Sequence, residues 1–362
     1  MKKRLSVLMI FTLITMILAA CGGGNAQPAP STPESSPEAN NAPSSKPSDK
    51  PKGKLTVYVG FQEDHAIEAM KQFTKDTGIE AEMIRMSGGE ILAKIRAEKD
   101  NPQADIWYGG PADTFIAAME DDLLEPYKSP EAEKIDARYK DPDGYWTGIY
   151  VGALGFASNK DFLKKHNLQA PTKWEDFLDP AYKDQVVMGN PSSSSTSYTI
   201  MYTILQVMGG EEKGFDFLKK LHSQVSQYTT SGTATGRMVG MGEAAVSVLF
   251  AHDIVKYQEE GFESLELSFP EDGTGYETGA ISIIKNTKNP ELAQQFVDWA
   301  LGKNAQEVGQ RTGSYQSLTN PEAKQPERGI DFNSLNLIDY DPAEAGKERQ
   351  RLIDKWNSEV NK

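Results

Sequence analysis

The chain has 362 residues, enough to bury one large core or two medium ones, and carries a net charge of −14 at neutral pH. That acidity argues against a nucleic-acid binder, whose affinity is built from clustered Lys and Arg facing phosphates. It leaves room for a small anion, because backbone N–H groups and hydroxyls at helix N-termini hold anions whatever the overall charge.

The first residues, "MKKR" and "LSVLMIFTLITMILAA", have the basic and apolar regions of an export signal. They run into "LAAC", which resembles a bacterial lipobox, so residues 1–20 are expected to be a signal peptide and Cys21 the lipid-modified first residue of the mature chain. Cys21 is the only cysteine, which excludes an internal disulfide and a thiolate metal cluster. Residues 22–53 are rich in Pro, Ser, Ala and Asn without aromatic or branched aliphatic residues, so 21–53 is expected to be a lipidated, disordered tether.

Ordered structure is expected from Lys54. "KLTVYVG" predicts a buried strand, and "HAIEAMKQFTKDTG" a helix with Ile67, Met70 and Phe73 on its apolar face and Gly78 as the stop. "IEAEMIRM" predicts a strand, "GEILAKIRAEKDN" a helix, "ADIWYGG" a strand, and "PADTFIAAMEDDLLEPY" a helix opening near Pro111. This alternation predicts an α/β fold with a largely parallel sheet, whose ligands sit beyond the carboxyl ends of the strands. Three such ends fall at "GFQED", "MSGGE" and "YGGPAD".

"WTGIYVGALGFASN" is a Gly-rich extended stretch opening into a helix, "DFLKK", and "EDGTGYETGAISIIKN" has the same texture. Two such stretches are expected where the chain passes between two lobes and back. Between them, "VVMGNP" leads into a serine run and the helix "YTIMYTILQVMGG", then the strand "VSQYTTSG" and the helix "TATGRMVGMGE". The apolar run Ala244–Phe250 then delivers His252 and Asp253 side by side. That pair is compatible with a metal site, part of a hydrolytic triad, ligand hydrogen bonding, or simple capping of the next helix by Asp253. "PELAQQFVDWALGKNAQEVG" and "PAEAGKERQRLIDKWNSEV" predict two closing helices.

The order and spacing of "ADIWYGGPAD", "YVGALGFASN", "GNPSSSSTSYT", "QYTTSGTATGRMVGMGEAAV", "EDGTGYETGA", "AQQFVDWALGKNAQE" and the Trp356 helix resemble a substrate-binding protein of an ABC importer. The resemblance is to the type II periplasmic-binding-protein group of ferric-iron binders, AfuA-like sugar-phosphate binders and phosphonate binders. It runs from about Lys54 to the C-terminus. It implies two α/β lobes joined by two extended crossovers, with lobe one at 54–153 and 278–362, lobe two at 154–277, and hinge closure on a ligand between them. The implied partners are a small anionic ligand, an ABC permease, and the lipid bilayer through Cys21 at the outer face of the cytoplasmic membrane. A monomer is expected, with no nucleic acid, no cofactor and no enzymatic activity.

In the ferric binders of this group the strand corresponding to Ala244–Phe250 ends in two adjacent tyrosines that hold the metal. Here Ala251, His252 and Asp253 stand there, and Tyr257 has no tyrosine neighbour. In the sugar-phosphate binders the pair is His-Asp, with a glutamate from the second crossover, and His252, Asp253 and Glu277 match all three. Carboxylates accept hydroxyl donors and an imidazole offers one donor and one acceptor, which suits a polyol. A phosphate needs donors, and Ser195, Thr196 and Ser197 stand where a predicted helix begins, Thr230 and Ser231 at a second helix start, while "MSGG" supplies Ser87 and Gly88 from lobe one. Arg85 and Arg237 are equally suited to adding charge there and to forming surface ion pairs. No GxSxG, P-loop, HExxH or CxxC pattern occurs, and "GTGYETG" precedes a strand rather than linking strand to helix, so it is not a nucleotide motif.

Overall fold

The computed structural model describes residues 53–361, so the leader, Cys21 and nearly all of the tether lie outside the described residues. The first half of lobe one alternates as expected: β1 (Lys54–Val59), α1 (Glu63–Thr77), β2 (Glu80–Arg85), α2 (Gly88–Ala97), β3 (Ile106–Pro111), α3 (Ala112–Glu120) and the short β4 (Leu124–Glu125). The chain then extends as β5 (Thr147–Asn159) into α4 (Lys160–His166). It continues through β6 (Val186–Gly189), α5 (Ser195–Val207), α6 (Glu211–His222), β7 (Val225–Thr229), α7 (Ala234–Gly240), β8 (Val246–Phe250), α8 (Ala251–Glu259) and β9 (Leu265–Ser268). It returns through β10 (Tyr276–Ile284) to α9 (Pro290–Leu301), α10 (Lys303–Gln306), β11 (Ser317–Leu318) and α11 (Pro342–Glu359). No helix among the described residues is long and apolar enough to cross a membrane.

The strand order is β2-β1-β3-β10-β5-β8-β6-β7. The outer strands on each side pair in parallel, β2 and β3 with β1, and β7 and β8 with β6. The middle is antiparallel and consists of the two crossovers. β5 pairs with β10 from Thr147 to Ala153, then with β8 from Leu154 to Ser158. One strand therefore belongs to both lobes, and all 13 of its residues are buried. The molecule has the two-lobe type II architecture, with separate apolar clusters on the two sides, one centred on Leu55, Phe73, Tyr108 and Phe296 and the other on Phe156, Trp174, Tyr198 and Phe215.

Several elements differ from expectation. Ile67 is 40% exposed, whereas Met70 and Phe73 are buried with Ala66 and Ala69. The buried stripe runs 66, 69, 70, 73, the i, i+3, i+4, i+7 pattern, and Ile67 sits one residue off it. α3 stops at Glu120 rather than continuing to Tyr127, because Asp122 adopts a left-handed φ of 60° and Leu124–Glu125 pair with β10. The helix expected from Pro290 breaks at Gly302, which is extended (ψ 147°). α6 was not anticipated at all, although Phe215, Phe217, Leu218 and Leu221 give it a buried face.

The last helix ties the two sides together. Leu352, Ile353, Trp356 and Val360 join the cluster of Phe156 and Tyr198, while Gly346 packs against the Asp113 carbonyl and Ile116 on α3. At its centre the Arg349 guanidinium bonds Asp113 Oδ1 at 3.0 Å and lies 4.2 Å from the Tyr198 ring centroid. Tyr340 donates to Asp113 Oδ2 at 2.8 Å. Burial outweighs Arg349 and raises the Asp113 carboxyl above its ordinary range. Removing one member of a buried pair leaves the other charge uncompensated, so Arg349→Leu is expected to cost about 3–5 kcal/mol by urea denaturation. Adding Asp113→Asn should recover part of that loss, and a single-variant cost below about 1 kcal/mol would contradict the role given to the pair.

Candidate functional site

The strand ends of both lobes face one another. From lobe one come Phe61 and Gln62 after β1, Ser87 and Gly88 after β2, and Gly109 and Gly110 at the end of β3. From lobe two come Asn190 to Ser195 after β6, Thr230 to Gly232 after β7, and Ala251 to Asp253 after β8. This is the crevice where ligands of parallel α/β sheets bind.

At one end β8 stops at Phe250, and His252 and Asp253 occupy the first turn of α8 rather than the strand itself. Both are buried, as is Glu277 on β10. His252 Nε2 lies 3.7 Å from Asp253 Oδ1 and 3.9 Å from Glu277 Oε1, beyond hydrogen-bond distance in each case. The three groups converge without satisfying one another. Burial lowers the His252 pKa, against the pull of Asp253, which favours the neutral ring, and among the described residues its Nδ1 has no hydrogen-bond partner. Burial, and then repulsion by Asp253 and Asp113, raise Glu277 well above the ordinary glutamate range. The backbone leaves a slot for this arrangement: a Cβ on Gly152 would stand 2.6 Å from the His252 ring and 3.1 Å from Glu277 Oε1.

Sequence reasoning missed two side chains here. Gln62 Nε2 donates to Asp253 Oδ1 at 2.6 Å from the opposite lobe. Tyr150, on β5, accepts a hydrogen bond from the Gly110 N–H at 3.2 Å and stands edge-on to His252 with centroids 6.2 Å apart. The signal for Gln62 was its place in "GFQED" at a strand end; nothing local distinguishes Tyr150 from its neighbours.

At the other end the starts of α2 and α5 confront each other. A Cβ on Gly88 would meet Ser195 Oγ at 2.5 Å, so the two helix N-termini are in contact across the crevice. Ser87 is buried and its N–H donates to Glu90 Oε2 at 2.9 Å. Ser194 caps α5, accepting from the Ser197 N–H at 3.2 Å and the Gly232 N–H at 3.1 Å. Thr196 packs toward Gly232. Ser197 points toward Gly189 inside lobe two, and its hydroxyl is buried without a hydrogen-bond partner. Thr230 is exposed, and its carbonyl accepts from Ser193 Oγ at 3.0 Å.

The two arginines separate clearly. Arg237 is a surface residue paired with Glu260 at 3.2 Å. Among the described residues Arg85 has no carboxylate partner: its Nε donates to the Phe61 carbonyl at 3.2 Å and its Nη2 to Ser231 Oγ at 3.3 Å in the other lobe. A half-buried cation thus stands among hydroxyls at the end that carries two helix N-termini. Tyr257, the tyrosine nearest the His-Asp pair in sequence, turns its hydroxyl to the Thr233 carbonyl at 2.9 Å. Among the described residues no group of three His, Cys, Asp or Glu side chains is arranged to hold a metal ion.

Comparison with known proteins agrees with this geometry. Residues 101–338 match the family described as bacterial extracellular solute-binding protein. The chain is 42% identical to an uncharacterized protein of Haemophilus influenzae over 85% of its own length and 91% of that protein's. It is 41% identical to the periplasmic binding protein AfuA from Actinobacillus pleuropneumoniae, in a structure with exogenous fructose-6-phosphate bound, with a TM-score of 0.82 over 85% of this chain and 99% of that one. A second periplasmic binding protein, P5PA, is 40% identical with the same TM-score of 0.82 over 85% of this chain and 99% of its own. The chain belongs to the bacterial extracellular solute-binding protein family and is a substrate-binding protein of the ABC-importer kind, built on the type II periplasmic-binding fold.

Proposed function

We propose that this protein captures a small phosphorylated organic anion, with a hexose phosphate as the best candidate, between its two lobes and presents it to a permease. The observation that carries the proposal is the convergence of His252, Asp253 and Glu277 at distances too long for mutual hydrogen bonds. Each keeps hydrogen-bonding capacity for a ligand. Adjacent sugar hydroxyls donate to the carboxylates, and the neutral imidazole supplies one further donor or acceptor. The phosphate lies at the opposite end, toward Gly88 and Ser195 at the helix starts, with Ser87, Thr230 and Ser231 in the flanking loops, Thr196 and Ser197 contributing through the N-terminal turn of α5, and Arg85 as the cation. The fructose-6-phosphate held by the AfuA relative supports the same ligand class.

Lobe one comprises 54–153 and 278–362 and lobe two 154–277, with the hinge at the two crossovers. Cys21 carries the lipid, and the chain works as a monomer at the outer face of the cytoplasmic membrane, without catalysis. Ferric iron is disfavoured because no tyrosine pair follows β8 and no three His, Cys, Asp or Glu side chains among the described residues are arranged to hold a metal ion.

Calorimetric titration with glucose 6-phosphate and fructose 6-phosphate tests the proposal. Asp253→Ala should weaken binding by about 2–5 kcal/mol, the scale for truncating a buried charged contact, and His252→Ala by about 1–3 kcal/mol, the cost of leaving a buried hydrogen-bond partner unpaired. Unchanged affinity in both would remove them from the site. Heat with aminoethylphosphonate or ferric citrate and none with the sugar phosphates would move the ligand class. Arg85→Met should cost about 1.5–3 kcal/mol, the range for a hydrogen bond to a charged group.

Binding hydroxyl donors favours the ionised form of Glu277, so binding releases a proton. Affinity should therefore rise as pH climbs above the ordinary glutamate range toward the raised pKa of Glu277. Glu277→Gln should abolish this slope, leaving only the titration of the phosphate itself; a slope that persists unchanged in that variant would place the proton elsewhere.

A further inference from the structure

Lys256 is a buried cation that neither end of the site uses. It follows Asp253 by three residues and His252 by four on α8, so the three side chains share one helix face. Its side chain is 6% exposed, and its ammonium donates to Asp64 Oδ2 at 2.5 Å and to the Thr312 carbonyl at 2.6 Å. Glu260, one turn on, lies 3.3 Å away. Asp64 stands in the first turn of α1, and Thr312 in the turn that follows α10, so both belong to lobe one.

The neighbouring contact has the same direction. Gln62, two residues before Asp64, reaches Asp253 at 2.6 Å. Two residues of the β1–α1 junction thus hold two residues of α8 that are one helical turn apart, and a single approach of the lobes makes both contacts. If the lobes swing apart, Lys256 loses Asp64 and the Thr312 carbonyl and keeps only Glu260 on its own helix. An ammonium at 6% exposure is stable only while paired, so its energy differs between the open and closed arrangements.

We propose that Lys256 is a positioning residue that biases the lobes toward closure over the His252–Asp253 end by docking on Asp64 and the Thr312 carbonyl, whether or not ligand is present. Its effect on ligand release rests on the sugar-phosphate reading of that end; its effect on the lobes does not. A bound ligand that engages Asp253 holds α8 against the β1–α1 junction, and Lys256 then retards reopening. The latch forms with or without ligand, so in the bound state it opposes reopening and its contribution is read in the dissociation rate.

The test uses full-length protein carrying Lys256→Met, Lys256→Arg, Asp64→Asn, and Lys256→Met with Asp64→Asn. In ligand-free protein, hydrogen exchange at residues 62–66 and 309–315 should accelerate about tenfold in Lys256→Met, with the α5 interior unchanged and Lys256→Arg restoring protection. With glucose 6-phosphate as the probe, Lys256→Met should raise the dissociation rate about tenfold and leave the association rate equal or faster, never slower. The double variant should be no worse than the worse single one. Unchanged exchange in the two segments, or acceleration spread evenly over both lobes, would overturn the latch. If wild-type protein gives no heat with either sugar phosphate, the ligand reading fails, and the exchange experiment alone decides the latch.

Discussion

The strand Thr147–Asn159 is shared by both lobes, and the rest of the structure is arranged around that fact. Its pairing passes from β10 to β8 between Ala153 and Leu154. A strand buried along its whole length must satisfy its backbone on both sides, and here it does so with different lobes at its two halves. This fixes where the lobes meet. It brings the start of α8 beside β10, so that His252 approaches Glu277, and it places Gly152 where any side chain would collide with both. Tyr150 on the same strand reaches Gly110 at the end of β3. The crossover is the floor of the crevice and, on the proposed function, its hinge.

The two ends of that crevice differ in electrostatic character. One holds two buried carboxyl groups around a neutral imidazole, an acceptor-rich environment that leaves hydrogen-bonding capacity unused. The other holds opposed helix N-termini, serine hydroxyls and an arginine without a carboxylate partner. A ligand with hydroxyl donors at one end and an anion at the other complements both. Net charge says nothing against this, because the anion meets local dipoles and donors rather than the average field. The mutual contacts already made across the crevice, Gln62 to Asp253, Arg85 to Ser231 and Lys256 to Asp64, show that the lobes approach to hydrogen-bond distance at both ends of the site.

Much of this was legible in the sequence. Alternating strand and helix patterns defined lobe one, and the two Gly-rich extended stretches marked the crossovers before any pairing was known. His252 and Asp253 stood out because polar groups directly follow the apolar run of β8. The helix start at Ser195 was visible as a serine run ahead of apolar periodicity, whereas the start of α2 at Gly88 was legible only as a glycine-bearing strand end. The contacts that complete the site were not legible, because they depend on the approach of distant segments. Gln62 and Asp253 are 191 positions apart, and Lys256 and Asp64 are 192 apart. Amphipathicity showed that α11 has a buried face but not that this face joins the Trp174 and Tyr198 cluster while its Gly346 rests on α3. Similarly, no local pattern separates Arg85, aimed between the lobes, from Arg237, paired on the surface.

The central claim is that one ligand engages both ends of the crevice. Comparing glucose 6-phosphate with its two halves, glucose and inorganic phosphate, by calorimetry on the same protein tests this most directly. The account predicts that the intact sugar phosphate binds at least about a hundredfold more tightly than either half, because joining the halves removes the cost of immobilising two separate molecules. Equal affinity for the sugar phosphate and for inorganic phosphate alone would contradict it, since the His252–Asp253–Glu277 end would then contribute nothing to recognition.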